Sequence, residues 1–323
     1  MDDGTTATRK PLARPFDHSP NLSFRRSGQP HYRRRRTLAL ALILTAVAAL
    51  VVGLVVGAGG GSVAHGHLPS TAGYFVRIHT LGGVGPGSFS AEEQGAETAA
   101  INHTLSYTPY VRIAGSQHKE IALTFDDGPG PYTPQIVSIL QRTGVPGTFF
   151  EVGVVEPDFH AGTSEIVSRG YPIGDHTENH SAMGRLSPKD QKGQLLQGAA
   201  ALGQYGAPFP RLFRPPYGSW DNATLRLLHK YRMLMVLWTV DTNDYLRPGV
   251  STIVHAAVSG ARPGAIILLH DAGGDRTQTV AALPKIITQL RRRGYRFVTV
   301  PKLLLDNPAP ANQHFSALAG GGG

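Results

Sequence analysis

The chain has 323 residues, 41% of them hydrophobic and 16% charged, enough for one large domain or two small ones around a sizeable core. It contains no cysteine, which excludes structural disulfides, zinc–thiolate sites and a cysteine nucleophile. A net charge of +9 invites a nucleic-acid partner, but residues 1–36 hold nine of the 31 Lys and Arg against three Asp, so the basicity belongs mostly to a tail.

In chain order, residues 1–36 are polar, proline-containing and arginine-rich, and predict a disordered cytoplasmic tail. Residues 37–57 read TLALALILTAVAALVVGLVVG without a charge. As a helix this run would span ~30 Å, about one hydrocarbon core. Arg33, Arg34, Arg35 and Arg36 stand immediately before it. The positive-inside rule then predicts a single-pass membrane anchor, with the N-terminus in the cytoplasm and everything after residue 58 outside. A secreted protein is the alternative, with Ser62-Val63-Ala64 as a small-residue cleavage site. The apolar region of a cleaved signal usually runs only ~7–15 residues. Residues 58–117 open on Gly59-Gly60-Gly61-Ser62 and carry β-like runs at 74–79 and 110–113, predicting a linker, stalk or N-terminal decoration. Residues 306–323 lack apolar periodicity and predict a disordered tail.

Between 118 and 305 the pattern changes. Apolar runs at 121–125, 147–152, 171–175, 211–213, 234–240, 265–269 and 296–300 alternate with helical patterns at 134–143, 165–169, 188–204, 223–231, 252–259 and 280–292. Strands alternating with helices imply parallel strands joined by crossovers, hence the α/β class. The count suits a (β/α) barrel one strand short of eight, complete or incomplete, in which active residues gather where strands end.

The first run ends in Thr124-Phe125-Asp126-Asp127-Gly128-Pro129. An isolated Asp pair is usually a solvated loop, but this one follows a strand that should be interior. Adjacent strand residues point to opposite faces, so both carboxylates can meet one site only where the strand stops and turns. The third run ends in Asp175-His176-Thr177-Glu178-Asn179-His180. Histidines at i and i+4 share one face of a helical turn and suit one metal. With Asp127 they give three protein ligands and an open position, the pattern of a catalytic site. Imidazole and carboxylate donors favour Zn2+, with Co2+, Ni2+ or Mn2+ as alternatives. The fourth run ends in Phe213-Arg214-Pro215-Pro216-Tyr217-Gly218, a stiff turn presenting Arg214 and the Tyr217 amide. Trp238-Thr239-Val240-Asp241-Thr242-Asn243-Asp244-Tyr245 and Leu268-Leu269-His270-Asp271 follow the fifth and sixth.

Together these five segments resemble the motifs of the polysaccharide deacetylase family (carbohydrate esterase family four), which reads Thr-Phe-Asp-Asp-Gly, His-Ser/Thr-x-x-His, Arg-x-Pro-Tyr, Asp-x-x-Asp-Trp and Leu-x-His in that order. The resemblance covers about 118–305 and implies the family fold, a distorted (β/α) barrel of about seven strands. It implies Asp126 as general base oriented by Arg214, and Asp127, His176 and His180 as metal ligands. It also implies Leu268 against the acetyl methyl, His270 as general acid paired with Asp244, and the Tyr217 N–H as an oxyanion donor, with Pro215 and Tyr245 lining the substrate site. Tyr245 stands where the family has tryptophan, a smaller shield for the acid whose hydroxyl needs a partner. The implied activity is metal-dependent removal of N-acetyl groups from an extracytoplasmic polysaccharide, peptidoglycan first, with no nucleic-acid or protein partner. The same residue types would serve an O-acetyl esterase or another amide hydrolase. A glycan-binding barrel without turnover would be marked by a missing ligand, base or acid, and none is missing.

Overall fold

The computed structural model describes residues 91–313. The tail expected at 1–36, the span at 37–57, most of the 58–117 linker and the last ten residues lie outside the described residues. Among the described residues no helix is long and apolar enough to cross a membrane.

The elements in chain order are α1 (Ala91–Leu105), β1 (Tyr110–Val111), β2 (Glu120–Gly128), α2 (Thr133–Thr143), β3 (Thr148–Glu151), α3 (Glu156–Ser168), β4 (Ile173–Asp175), α4 (Pro188–Gln204), β5 (Leu212–Phe213), α5 (Asn222–Tyr231), β6 (Leu234–Val236), β7 (Val240–Asp241), α6 (Val250–Gly260), β8 (Ala265–His270), α7 (Thr277–Arg292), β9 (Arg296–Phe297) and α8 (Val300–Asp306). The strands form one parallel, curled sheet in the order β1-β6-β5-β4-β3-β2-β8-β7, with β9 paired to β2.

Strand alternation divides the interior. On β2, Ile121, Leu123 and Phe125 pack with α2, α6 and α7 on the convex face. Ala122 joins Phe150, Leu212, Leu234, Val236 and Ile266 on the concave face. Above Ala122 on the same side come Thr124 and Asp126, both buried. On the neighbouring strand the register sets Thr124 beside Leu268 and Asp126 beside His270. The concave face is therefore apolar at the N-terminal ends of the strands and polar at their C-terminal ends.

The barrel is the incomplete one, and four expectations need correction. The sheet is an open, curled half-barrel: no ladder joins β1 to β7 among the described residues, and Ile113 makes only a single antiparallel bridge to Ala265. The cause is that the run at 234–240 is not one strand. It leaves β6 after Val236, gives its Leu237 N–H to Val111 and its Thr239 N–H to Ile266, and pairs again as β7 on β8. The boundary drawn at 118 falls inside the folded unit, because β1 pairs with β6 and Ala100 and Ile101 of α1 join the concave core. The run at 296–300 holds only the short β9; the Thr299 side chain accepts the Lys302 N–H and starts α8, whose Val300, Leu303 and Leu304 complete that core. Past the 306 boundary, Asn307 is buried against Glu120, and the Gln313 Oε1 accepts the N–H groups of Arg112 and Ile113.

Candidate metal centre and active site

The C-terminal end of β2 carries the first two acids by means of an irregularity. The register with β3 shifts between Asp126 and Gly128, making Asp127 the extra residue, and it sits at φ 73°. A bulge of this kind re-aims one side chain, so neighbours that would face opposite sides both reach the concave site. The two histidines converge differently from the helical turn expected. Residues 176–180 are an irregular loop with Thr177 at φ 71° and His180 at φ 57°. The i, i+4 spacing is right but the backbone is not helical, since loop hydrogen bonds to α4, such as Glu178 N–H to Gln194 O, hold it instead.

Oδ1 of Asp127 and the imidazole nitrogens of His176 and His180 lie within 4.8 Å of one another. The Asp127 Oδ1 is 3.6 Å from His176 Nε2 and 3.1 Å from His180 Nε2. It is buried without a hydrogen-bond partner, the mark of an oxygen reserved for a cation. Burial pushes the Asp127 carboxyl up, but the neighbouring imidazoles of His180, His176 and His270 outweigh it and hold it at about 2. The other ring nitrogens are committed: His176 Nδ1 donates to the Arg214 carbonyl at 2.7 Å, and His180 Nδ1 is hydrogen-bonded to the Tyr217 hydroxyl at 3.0 Å. Such partners fix the tautomer that leaves Nε2 free for metal. Burial pulls His176 down, which favours the neutral ligand form. The donor set fits a divalent metal, zinc foremost.

Arg214 is fully buried beneath Asp126. Its Nη1 donates to Asp126 Oδ1 at 2.6 Å and to Thr124 Oγ1 at 2.8 Å, its Nε donates to Val236 O at 2.9 Å, and its guanidinium stacks 4.1 Å over the Phe150 ring. One Asp126 oxygen is thus occupied, while Oδ2 faces His176 Nε2 at 3.8 Å. Across the site, His270 Nδ1 meets Asp244 Oδ1 at 2.7 Å, and Asp244 Oδ2 accepts the His270 N–H at 2.9 Å and the Thr279 hydroxyl at 2.7 Å. Burial pulls His270 down, but the bond to Asp244 and its charge raise it to about 9. The imidazole is therefore a proton donor at neutrality.

These groups open into one cavity of about 1160 Å³ lined by Asp126, Asp127, His176, His180, Leu268 and His270, together with Pro215, Tyr217 and Tyr245. Leu268 is buried at its floor, and Tyr217 is 69% exposed at its mouth. The Tyr245 ring stands edge-on to His270 at 5.3 Å, and its hydroxyl finds the expected partner in Asn243 Oδ1 at 3.2 Å. All eleven residues singled out in the sequence border the site or, like Arg214 and Asp244, support it from below. Thr124, Thr279 and the Tyr217 hydroxyl were missed, as were Asp271 and Arg276. Burial drives Asp271, against Thr133, up to about 7. Its place directly after His270 was the one available signal.

The polysaccharide deacetylase family model matches residues 114–236. The peptidoglycan-N-acetylglucosamine deacetylase of Bacillus cereus is 39% identical over 192 residues, 58% of this chain and 90% of the relative. The chain belongs to the polysaccharide deacetylase family. A chitooligosaccharide deacetylase of Bradyrhizobium is 35% identical over 60% of this chain and 94% of its own. The solved structure of the Bc1960 peptidoglycan N-acetylglucosamine deacetylase superposes with a TM-score of 0.60 at 30% identity, covering 65% of this chain and 97% of the other. With the Asp127–His176–His180 centre, membership makes this deacetylase a metal-dependent hydrolase.

Proposed function

We propose that the chain hydrolyses the N-acetyl groups of amino sugars in an extracytoplasmic polysaccharide, most directly peptidoglycan, and releases acetate. The observation that carries this reading is the flanking of one metal centre by two ion pairs, Asp126–Arg214 and His270–Asp244, within one cavity. The peptidoglycan assignment is supported by the peptidoglycan deacetylase of Bacillus cereus and by the apolar span at 37–57, which would tether the domain outside the cytoplasm beside the wall. The chitooligosaccharide deacetylase relative makes an N-acetylglucosamine oligomer the next substrate to try.

A divalent cation held by Asp127, His176 and His180 would polarise the acetamide carbonyl and acidify water. The chain's own residues do the rest. Asp126 accepts the proton of the attacking water at Oδ2, since Oδ1 is held by Arg214. The Tyr217 backbone N–H, turned by its φ of 59°, donates to the developing oxyanion, a contact worth about 3 kcal/mol in other acyl transfers. His270, with Nδ1 held by Asp244, gives its Nε2 proton to the departing amine. Leu268 bounds the space left for the acetyl methyl and excludes water.

The test is acetate release by the full chain from peptidoglycan and from N-acetylglucosamine oligomers, with matched O-acetylated glycans alongside. Release that stops on chelation and returns with Zn2+ or Co2+ is the expected result. Metal-bound protein that cleaves only O-acetyl esters, or neither polymer, would overturn the proposal.

A further inference from the structure

The loop from β8 to α7 reads Asp271-Ala272-Gly273-Gly274-Asp275-Arg276, and the reaction described above uses none of it. Arg276 is only 4% exposed, an unusual depth for a cation. Its guanidinium is spent on carbonyls of its own loop: Nε donates to Ala272 O at 2.6 Å, Nη2 to Gly273 O at 3.0 Å and Nη1 to Asp275 O at 3.3 Å. Its nearest carboxylate is that of Asp127, with Nη2 at 3.8 Å from Oδ2. Gly273 lies against the same oxygen. It adopts φ 74°, and a Cβ there would strike Asp127 Oδ2. Asp127 is thus gripped on one side only: Oδ2 rests against the loop and the Arg276 charge, while Oδ1 faces the two histidines.

We propose that Gly273 and Arg276 form a clamp that holds Asp127 as a one-oxygen metal ligand, with Arg276 acting as a positioning residue through the loop it ties. This rests on the assignment of Asp127, His176 and His180 as the ligands. A carboxylate at a bulge, free to rotate, could offer both oxygens to a cation and fill a position that a catalytic site keeps open. The Arg276 charge draws Oδ2 outward against the Gly273 backbone, away from the two histidines. Lysine could supply charge but cannot span three carbonyls, because the planar fork of arginine is what matches them. The loop also begins one residue after His270, so the clamp ties the proton donor and the metal ligand to one rigid piece.

The experiment uses the full chain and the metal alone. Zn2+ affinity is measured by competition with a chelating indicator, and Co2+ absorption reports coordination number, for the parent, R276K, R276Q and G273A. Both Arg276 variants are expected to lose roughly 10- to 100-fold in affinity, the usual cost of removing a ligand's outer partner. Their Co2+ spectra should shift toward higher coordination while the metal-free melting temperature of R276K stays close to the parent. G273A, which presses on Oδ2 from the same loop, should alter the same spectrum, and it keeps the test alive should R276Q not fold. Parent-like affinity and spectra in both R276K and G273A would overturn the clamp. D127A separates this from failure of the site itself: unchanged metal affinity there would sink the ligand assignment instead.

Discussion

At the C-terminal edge of the sheet, β2, β4, β5 and β8 lead into ionisable side chains that are nonetheless buried, among them Asp126, His176, Arg214 and His270. At the N-terminal edge the same concave face is filled mainly by Ala122, Leu212, Leu234 and Ile266 beneath α1 and α8, and the few buried polar groups there, such as Thr148 and the Thr299–Glu97 pair, are uncharged or tied by hydrogen bonds. Moving along one strand from Ala122 to Asp126 crosses from one regime to the other. The apolar end is held by non-directional burial, so its cost of change scales with the volume removed. The polar end is held by paired charges that must each find a partner, so removal of one strands the other. Function sits where stability is most fragile to single charge deletions.

That contrast can be broken or sharpened by substitution. The largest effect is expected from Asp127→Ala, which should lower kcat/KM by ~10⁴-fold or more and abolish tight Zn2+ binding, since a metal centre acts as a unit. Retention of parent activity would remove the centre from the mechanism. Arg214→Met leaves Asp126 buried without its cation and should cost ~3–5 kcal/mol in denaturant unfolding as well as activity. Leu303→Ala, at the apolar end, should cost ~2–5 kcal/mol yet leave turnover per folded molecule unchanged. A Leu303 variant that is fully folded but catalytically impaired would show the two ends to be coupled. Asp244→Asn is expected to have the smallest cost, ~10²-fold in kcat, and to move the alkaline limb of the pH–rate profile. The sign follows from the raised His270 pKa: activity that needs its proton persists up to about 9 and is lost above it, and removing the Asp244 charge brings that limb to lower pH.

The polar end was largely legible in the sequence and the apolar end was not, for reasons that particular residues make plain. Ligands, base and acid demand rare residue types at strand ends, so Asp126-Asp127, His176, His180 and His270 announce themselves. α1 buries only a few of its residues, Ala100 and Ile101 among them, and its alanine- and glutamate-rich surface reads as a linker. α8 hides because Val298 and Val300 continue the apolar run of β9, and only the Thr299 cap separates strand from helix. The break between β6 and β7 is invisible because Leu237 stays buried with its N–H still on Val111 of β1, and only at Thr239 does the backbone N–H pass to Ile266 of β8. Arg276 escapes notice for a related reason: its partners are backbone carbonyls, which leave no trace in a side-chain pattern. The i, i+4 histidines show that spacing can find the right ligands while implying the wrong backbone.

The in-register pairing of β2 with β8 has a further consequence. Asp126 and His270 are lateral partners, so the backbones that carry base and acid stand one strand separation apart, ~4.8 Å. That spacing is a constant of polypeptide geometry, and the register that sets the two residues side by side cannot drift by small steps, because the next available register turns every side chain to the other face. The reacting bond of any substrate must fit a slot of fixed gauge. Variation in what the enzyme accepts is therefore left to the walls, the loops carrying Tyr217 and Tyr245, while the ruler beneath them stays the same.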